Sequence, residues 1–84
     1  MAQIRIRYFA SIREALGRAE EKVDTRAPTL SALRDELIAR GGPYATTLAR
    51  GKAVRMALAQ EMSEESALLA EGCEVAFFPP VTGG

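Results

Sequence analysis

Two apolar segments near opposite ends of the chain place the strongest limits on its fold. In both, apolar side chains recur at every second position: Ile4, Ile6 and Tyr8 in the first, and Cys73, Val75 and Phe77 in the second. A period of two predicts β-strands. Because these segments are the most apolar of the chain, we expect two parallel strands, side by side in the centre of one sheet. Proline has no N–H for a neighbouring strand, so Pro79 should end the second strand.

One long helix is expected between these strands. Thr29, directly after Pro28, suits the N-cap position. Apolar residues then recur at i, i+3, i+7 and i+8, as Leu30, Leu33, Leu37 and Ile38. Arg40 suits the C-terminal end, and Gly41-Gly42-Pro43 should stop the helix. A single apolar stripe is typical of a helix that lies across one face of a sheet.

Shorter elements complete the expected order. Ser11 and Glu14 have the spacing of a capping box, which predicts a short helix that ends at Gly17. The charged segment from Glu20 to Arg26 is interpreted as an edge strand. Further predictions are a helical turn or two within 44–50, a strand over 54–58 and a helical turn around Leu68 and Leu69. This order predicts an α+β fold of two layers, with one main helix on a mixed sheet.

The composition favours one domain without nucleic-acid or membrane partners. The 84 residues include 11 basic and 11 acidic side chains, so the formal net charge is zero. There is no basic field for nucleic acid, and no apolar stretch is long enough to cross a bilayer. The first residues lack the features of a signal peptide. A single cysteine excludes an internal disulfide, and we expect a cytoplasmic protein.

Residue types that support independent catalysis or metal binding are scarce. The sequence has no histidine, one cysteine and no recognised nucleotide-binding loop. The acidic residues Glu61, Glu64 and Glu65 are too sparse to predict a metal site. Cys73 is interpreted as a small structural residue, because no second cysteine is present to resolve a persulfide. We therefore expect no metal, no bound cofactor and no self-contained enzyme.

The segment from Val75 to Gly84 contains no charged side chain. Pro79 and Pro80 stiffen its middle, and Gly83 and Gly84 carry no Cβ, so the end of the chain can lie extended in a narrow slot. A free α-carboxylate would arrive at the end of that slot. We therefore predict a domain over 1–78, a C-terminal tail over 79–84, and a functional group at the carboxylate of Gly84.

The segment from Gly72 to Gly84 reads GCEVAFFPPVTGG and resembles the C-terminal signature of molybdopterin synthase small subunits, the sulfur carriers of molybdenum cofactor synthesis. Tyr8-Phe9-Ala10 and Pro28-Thr29 also agree with that family. The resemblance implies the β-grasp, or ubiquitin-like, fold. The chain departs from the family at Cys73, where many members carry aspartate, and at Ala59-Gln60, where a polar pair such as Asn-Gln is frequent.

The resemblance also implies a mechanism for Gly84. An adenylyltransferase similar to ubiquitin-activating enzymes, using ATP and magnesium, would join the Gly84 carboxylate to AMP. A sulfurtransferase or cysteine desulfurase would then supply sulfur and leave a thiocarboxylate. The tail would enter the large subunit of molybdopterin synthase and give sulfur to cyclic pyranopterin monophosphate. The family suggests a heterotetramer with two large subunits.

The other tail residues are expected to guide this insertion. Pro79 and Pro80 would hold the tail away from the sheet, and Val81 and Thr82 would pair their main chain with the walls of the slot. Gly83 would keep the approach narrow. Phe77 and Phe78 point to opposite faces, and Phe78 is our choice for the ring that meets a partner.

Three other functions remain open from the sequence. A sulfur carrier for the thiazole of thiamin would share the diglycine chemistry, but the Phe-Phe-Pro-Pro-Val-Thr run favours molybdopterin. A protein modifier would instead end in an isopeptide bond from Gly84 to a lysine. A plain docking module would use the tail without any chemistry at Gly84. Arg5 and Arg7 could bind an acidic partner surface, but we interpret them as a solvated strand face.

Overall fold

The structure is a computed structural model that describes residues 2–79. Over this range the chain forms five strands and three helices. The strands are β1 (Ala2–Tyr8), β2 (Glu20–Thr25), β3 (Arg55–Leu58), β4 (Glu61–Ser63) and β5 (Glu74–Phe78). The helices are α1 (Ala10–Leu16), α2 (Leu30–Ile38) and α3 (Gly42–Thr47). None of these helices has the length and apolar character needed to cross a membrane.

The five strands form one mixed sheet in the order β2-β1-β5-β3-β4. The two most apolar strands, β1 and β5, are parallel neighbours at its centre, as the sequence predicts. Their register aligns Ile6 with Val75 and Tyr8 with Phe77, so the apolar sides of both strands share one face. The charged strand β2 lies at an edge and pairs antiparallel with β1, which also agrees with the prediction.

Helix α2 covers the apolar face of the sheet. The hydroxyl of Thr29 accepts a hydrogen bond from the backbone N–H of Ala32 at 3.2 Å and caps the helix, as expected. The side chains of Leu30, Leu33 and Leu37 are at most 1% exposed. They belong to the same core cluster as the apolar residues of β1 and β5. Burial of this stripe fixes the helix on the sheet and stabilises the two-layer arrangement.

The prediction of a capping box at Ser11 is wrong. Helix α1 begins at Ala10, with Phe9 at the N-cap and no side-chain cap in the described structure. The backbone N–H of Phe9 donates to the carbonyl of Phe77, so the strand-like hydrogen bonding of β1 extends to Phe9 and the helix starts directly after it. The end of the helix is as expected, because Gly17 takes a left-handed conformation with φ 74°.

Helix α2 ends earlier than the sequence suggests. Its last residue is Ile38, so Arg40 lies beyond the helix instead of in its last turn. The sequence Gly42-Pro43 begins α3 instead of merely ending α2, because proline suits the first turn of a helix, where an N–H has no partner. Helix α3 agrees in outline with the helical turns expected within 44–50.

The expected helical turn at Leu68 and Leu69 is wrong. Leu68 forms an isolated antiparallel bridge with Thr29, and the N–H of Leu69 donates to the carbonyl of Pro28 at 2.9 Å. The N–H of Leu30 donates in turn to the carbonyl of Ala67 at 3.1 Å. The segment stays extended because its hydrogen bonds go to the start of α2 instead of closing a local turn.

Strand β4 is absent from the sequence predictions. It pairs with β3 through a two-residue hairpin turn at Ala59 and Gln60, whose φ angles are 51° and 69°. Both positions are in the left-handed region, which such turns usually fill with asparagine or glycine. Because Ala-Gln carries neither signal, the sequence gives no indication of a hairpin at this place.

Candidate functional site

The candidate site is the C-terminal tail together with the part of the domain from which it leaves. Of the residues assigned to the tail and its partner contacts, the structure places Phe78 and Pro79. The predictions for Pro80, Val81, Thr82, Gly83 and Gly84 lie outside the described residues. The geometry of the site is therefore the geometry of its base, where β5 ends.

Hydrogen bonds on both sides hold the end of β5. On one side it pairs with β1 as far as Tyr8, and the N–H of Phe9 then donates to the carbonyl of Phe77 at 3.2 Å. On the other side β3 continues the pairing as far as Arg55 and Phe78. Pro79 follows directly and cannot continue the ladder. The tail therefore starts from the central strand of the sheet, which fixes its origin.

The two phenylalanines before Pro79 face opposite sides of the sheet. Phe77 is fully buried and stacks on Tyr8 with ring centroids 6.0 Å apart. Phe78 is half-buried and stacks on Phe9 at 4.7 Å. Phe77 is thus the core ring. The role of Phe78 at a partner surface stays a prediction, and its half-exposed ring is available for one.

A groove of about 410 Å³ lies beside Pro79. Ile12 and Ala15 of α1 and Val54 before β3 provide its apolar walls, and Lys52 contributes a cation. The groove borders the point at which the tail leaves the domain. A protein that receives the tail would therefore also meet α1 and the loop before β3.

A cluster of polar side chains ties β1 to β2, α3 and the end of α2. The carboxylate of Glu21 accepts hydrogen bonds from the hydroxyls of Tyr8 and Tyr44, both at 2.7 Å, and from the guanidinium of Arg40 at 2.8 Å. Burial alone would raise the pKa of Glu21, but the hydrogen bonds from Arg40 and the two tyrosines outweigh it and lower the pKa. Burial and the bond to Glu21 raise the pKa of Tyr8.

This cluster supports the site indirectly, because Tyr8 stacks on Phe77 beside the origin of the tail. We did not predict this cluster from the sequence. The sequence pattern that could have indicated it is alternation, because Glu21 lies two residues before Val23 and therefore on the same side of the strand. In the sheet, Glu21 is paired with Ile6. That register puts the Glu21 carboxylate on the helix-covered face, where a charge needs partners.

A buried arginine holds the loop that lines the groove. Arg34 is 4% exposed, and its guanidinium donates to the carbonyls of Leu48, Ala49 and Lys52 at 2.7 to 3.0 Å. Burial lowers the pKa of Arg34. This role of Arg34 was also not predicted from the sequence. The spacing in the sequence could have indicated that Arg34 is buried, because residue 34 follows Leu30 by one helical turn and so falls on the apolar stripe.

A second arginine clamps the same region from outside. The guanidinium of Arg50 donates to Asp35 at 2.8 Å, to the carbonyl of Ser31 at 2.9 Å and to Glu65. The hydrogen bond to Asp35 raises the pKa of Arg50. Together with Arg34, these bonds fix the loop over 48–52 against α2.

The described part of the chain offers little chemistry of its own. Within residues 2–79, no three His, Cys, Asp or Glu side chains come together as a possible metal site. Cys73 is half-buried against the core, and its backbone N–H and C=O bond Ala70 and Arg5.

Comparison with known proteins gives a consistent picture. A model described as the ThiS family matches residues 6–84. The curated molybdopterin synthase sulfur carrier subunit of Escherichia coli (strain K12) is 40% identical over 81 residues, which cover 96% of this chain and 99% of that protein.

Solved structures agree on the fold. The small archaeal modifier protein 1 of Haloferax volcanii superposes with a TM-score of 0.79 at 24% identity, over 96% of this chain and 100% of that one. A chain from the complex of subunits 1 and 2 of the molybdopterin-converting factor of Helicobacter pylori 26695 superposes with a TM-score of 0.68 at 20% identity. The superposition covers 98% of this chain and 99% of that one. These likenesses confirm the β-grasp fold.

Proposed function

The chain belongs to the ThiS family, and we propose from this that it is the sulfur carrier subunit of a molybdopterin synthase. The observation that carries the proposal is the near full-length similarity, at 40% identity, to a curated sulfur carrier subunit. The uncharged Gly-Gly tail, which follows the central strand, agrees with it. The domain acts as the holder, and Gly84 acts as the reagent.

The chemistry starts from a poor electrophile. A carboxylate resists attack because further negative charge must build on it, so an adenylyltransferase with ATP and magnesium first activates it. The Gly84 carboxylate attacks the α-phosphorus of ATP, pyrophosphate leaves, and an acyl adenylate forms. The terminal sulfur of a persulfide on a sulfurtransferase or cysteine desulfurase displaces AMP and forms an acyl disulfide. A second thiol then cleaves the S–S bond, which releases the Gly84 thiocarboxylate and leaves a disulfide on the donor. The thiocarboxylate sulfur bonds to a carbon of cyclic pyranopterin monophosphate, and water hydrolyses the resulting thioester, which leaves the sulfur on the pterin and returns Gly84 to a carboxylate. A second carrier chain supplies the second sulfur of the dithiolene in the same way.

The large subunit is the partner in which this transfer takes place. The Helicobacter pylori relative is described in a complex of subunits 1 and 2, and we carry a pairing of that kind over to this chain. Val81, Thr82 and Gly83 lie in the slot of the large subunit, and Pro79 and Pro80 lead into it. Phe78 contacts the surface around the entrance. Catalytic side chains belong to the partner, so this subunit is not an enzyme by itself.

One alternative to the sulfur carrier is a protein modifier. The Haloferax volcanii neighbour is described as a modifier protein, and a modifier would use the same activated Gly84 to form an isopeptide bond with a lysine. At 24% identity that neighbour supports the shared fold and no more. The thiazole carrier remains the other alternative, because the same activation chemistry serves both products.

The intact mass of the chain tests the proposed chemistry. Purified protein is incubated with ATP, magnesium, the adenylyltransferase of the molybdopterin pathway and a sulfur donor. We expect a mass gain equal to the replacement of one oxygen by sulfur, and no gain in a variant that lacks Gly84. An unchanged mass with an adenylyltransferase that modifies its own cognate carrier would contradict the proposal. Covalent adducts to lysines of other proteins would favour the modifier.

A further inference from the structure

The face of the sheet opposite α2 carries an apolar patch beside the origin of the tail. We call Phe9, Phe78 and Met62, with the small residues Ala57 and Ala76 between them, the open-face patch. Ala57 is the register neighbour of both Ala76 and Met62, so the patch crosses β5, β3 and β4. Met62 is 59% exposed, and Phe9 and Phe78 are half-buried.

Two exposed arginines lie on either side of this patch. Arg7 of β1 is the register neighbour of Ala76, and its guanidinium lies 5.3 Å from the centre of the Phe9 ring. Arg55 of β3 is the register neighbour of Phe78. The aromatic stack therefore has a cation on each side, within the width of three strands.

Neither of these arginines has a carboxylate partner in the part of the chain that the structure describes. All ion pairs there involve other arginines: Arg18, Arg34, Arg40 and Arg50. Glu20 is the register neighbour of Arg7, yet no ion pair forms between them in residues 2–79. Within residues 2–79 the chain thus pairs four other arginines and leaves Arg7 and Arg55 without an ion pair beside the Phe9–Phe78 stack.

We propose that Arg7 and Arg55 recognise a partner protein that presents carboxylates on both sides of an apolar side chain. The apolar side chain would lie against the Phe9–Phe78 stack, and each carboxylate would pair with one arginine. The patch adjoins Pro79, so a protein that receives the tail also covers the patch. The partner is therefore the large subunit of the synthase, and this identification rests on the proposed function.

Charge complementarity favours an acidic partner over a second copy of this chain as the occupant. A symmetric dimer through this face would bring the arginines of one copy towards those of the other, and like charges across an interface lower affinity. Attraction between opposite charges would speed the encounter with an acidic partner and would fix the orientation of that partner once it is bound. The patch thus combines an apolar centre with a charged rim, as protein interfaces commonly do.

Charge reversal tests the proposal. We would measure binding of the large subunit from the same organism to the wild-type chain and to the variants Arg7→Glu and Arg55→Glu. Arg26→Glu serves as the matched control, because Arg26 is exposed and follows β2 at the opposite end of the β1 ladder. We expect each patch variant to lose about tenfold or more in affinity. Arg26→Glu should stay close to wild type.

Salt and conservative variants sharpen the result. Affinity of the wild-type chain should fall as salt rises, and that dependence should weaken in both reversal variants. Arg7→Lys should retain most of the binding, because it keeps the charge. Circular dichroism and thermal melts of each variant would show that the domain remains folded.

The outcomes separate the inference from the proposed function. If the wild-type chain binds while the patch variants bind no worse than Arg26→Glu, the proposed function stands and the inference is overturned. If the wild-type chain gains sulfur but does not bind the large subunit, both the partner assignment and the inference fail. If the wild-type chain sediments as a dimer and the Arg55→Glu variant sediments as a monomer, the inference is also overturned, because the patch would then bind a second copy of this chain.

Discussion

The two faces of the sheet treat charged side chains in opposite ways. On the side of α2, Glu21 and Arg34 are enclosed and fully bonded, and no buried side-chain polar atom in residues 2–79 lacks a partner. On the open side, Arg7 and Arg55 are exposed and form no ion pair in that range. Charges on the helix side therefore stabilise the domain, whereas the two arginines on the open side are available for the proposed contact with another protein.

Adjacent phenylalanines give the largest expected contrast between the faces. Phe77→Ala should lower the free energy of unfolding by about 3–5 kcal/mol, because it empties a fully buried site in the core. Phe78→Ala should cost only about 1 kcal/mol, through the lost stack on Phe9. Urea denaturation of both variants measures the difference. Equal losses would remove the distinction between a closed and an open face.

Arg34 on the helix side should matter far more to stability than Arg55 on the open side. Arg34→Met should cost about 3 kcal/mol, because three carbonyls of the loop over 48–52 lose their buried donor. Arg55→Gln should change stability by less than about 0.5 kcal/mol. Chemical denaturation compares the two. A stability loss at Arg55 as large as that at Arg34 would contradict the account.

The Glu21 cluster on the helix side predicts a pH dependence of stability. The hydrogen bonds of the folded state lower the pKa of Glu21, so its contribution is complete above the unfolded-state pKa, about 4.3. The contribution is lost as the pH falls through the lower, folded-state pKa. Glu21→Gln should cost about 1–2 kcal/mol at neutral pH and less in acid. Unfolding curves from pH 7 to pH 3 give the slope, with Glu20→Gln, on the opposite side of β2, as control. Equal slopes in wild type and Glu21→Gln would refute the assignment.

The hairpin between β3 and β4 should give the smallest effect, and a gain. Replacing Ala59-Gln60 with Asn-Gly should raise the free energy of unfolding by about 1 kcal/mol, because both positions have positive φ. Binding through the open-face patch should not change, since the turn lies outside it. A thermal melt and a binding measurement on the double variant check both points, and a lower melting temperature would contradict the turn geometry.

The sequence predicts the parts of this fold that depend on periodic apolar patterns. The central pair β1 and β5, the edge strand β2 and the stripe of α2 follow from alternation and helical spacing, because burial of one face imposes these periods. The core position of Phe77 follows from the same alternation. The family resemblance supplies the β-grasp fold and the function of Gly84, which the patterns alone do not distinguish.

The parts that were missed depend on contacts between distant residues. Glu21 reads as one more charge on an edge strand until the fold brings Tyr44 and Arg40 to it. Arg34 falls on the apolar stripe of α2 by its spacing, but the carbonyls that its guanidinium binds come to it only when the loop over 48–52 closes on it. The unpaired state of Arg7 and Arg55 is likewise a property of the folded sheet, and neither residue has a local motif.

The most direct test of the central claim is a single turnover with the thiocarboxylated chain. The chain would be mixed with the large subunit and cyclic pyranopterin monophosphate, and both molybdopterin and the remaining thiocarboxylate would be measured over time. We expect molybdopterin to appear as the thiocarboxylate of Gly84 disappears, with two carrier chains consumed for each dithiolene because it contains two sulfurs. The account would be contradicted if the thiocarboxylate persisted although the same large subunit was active with its own cognate carrier.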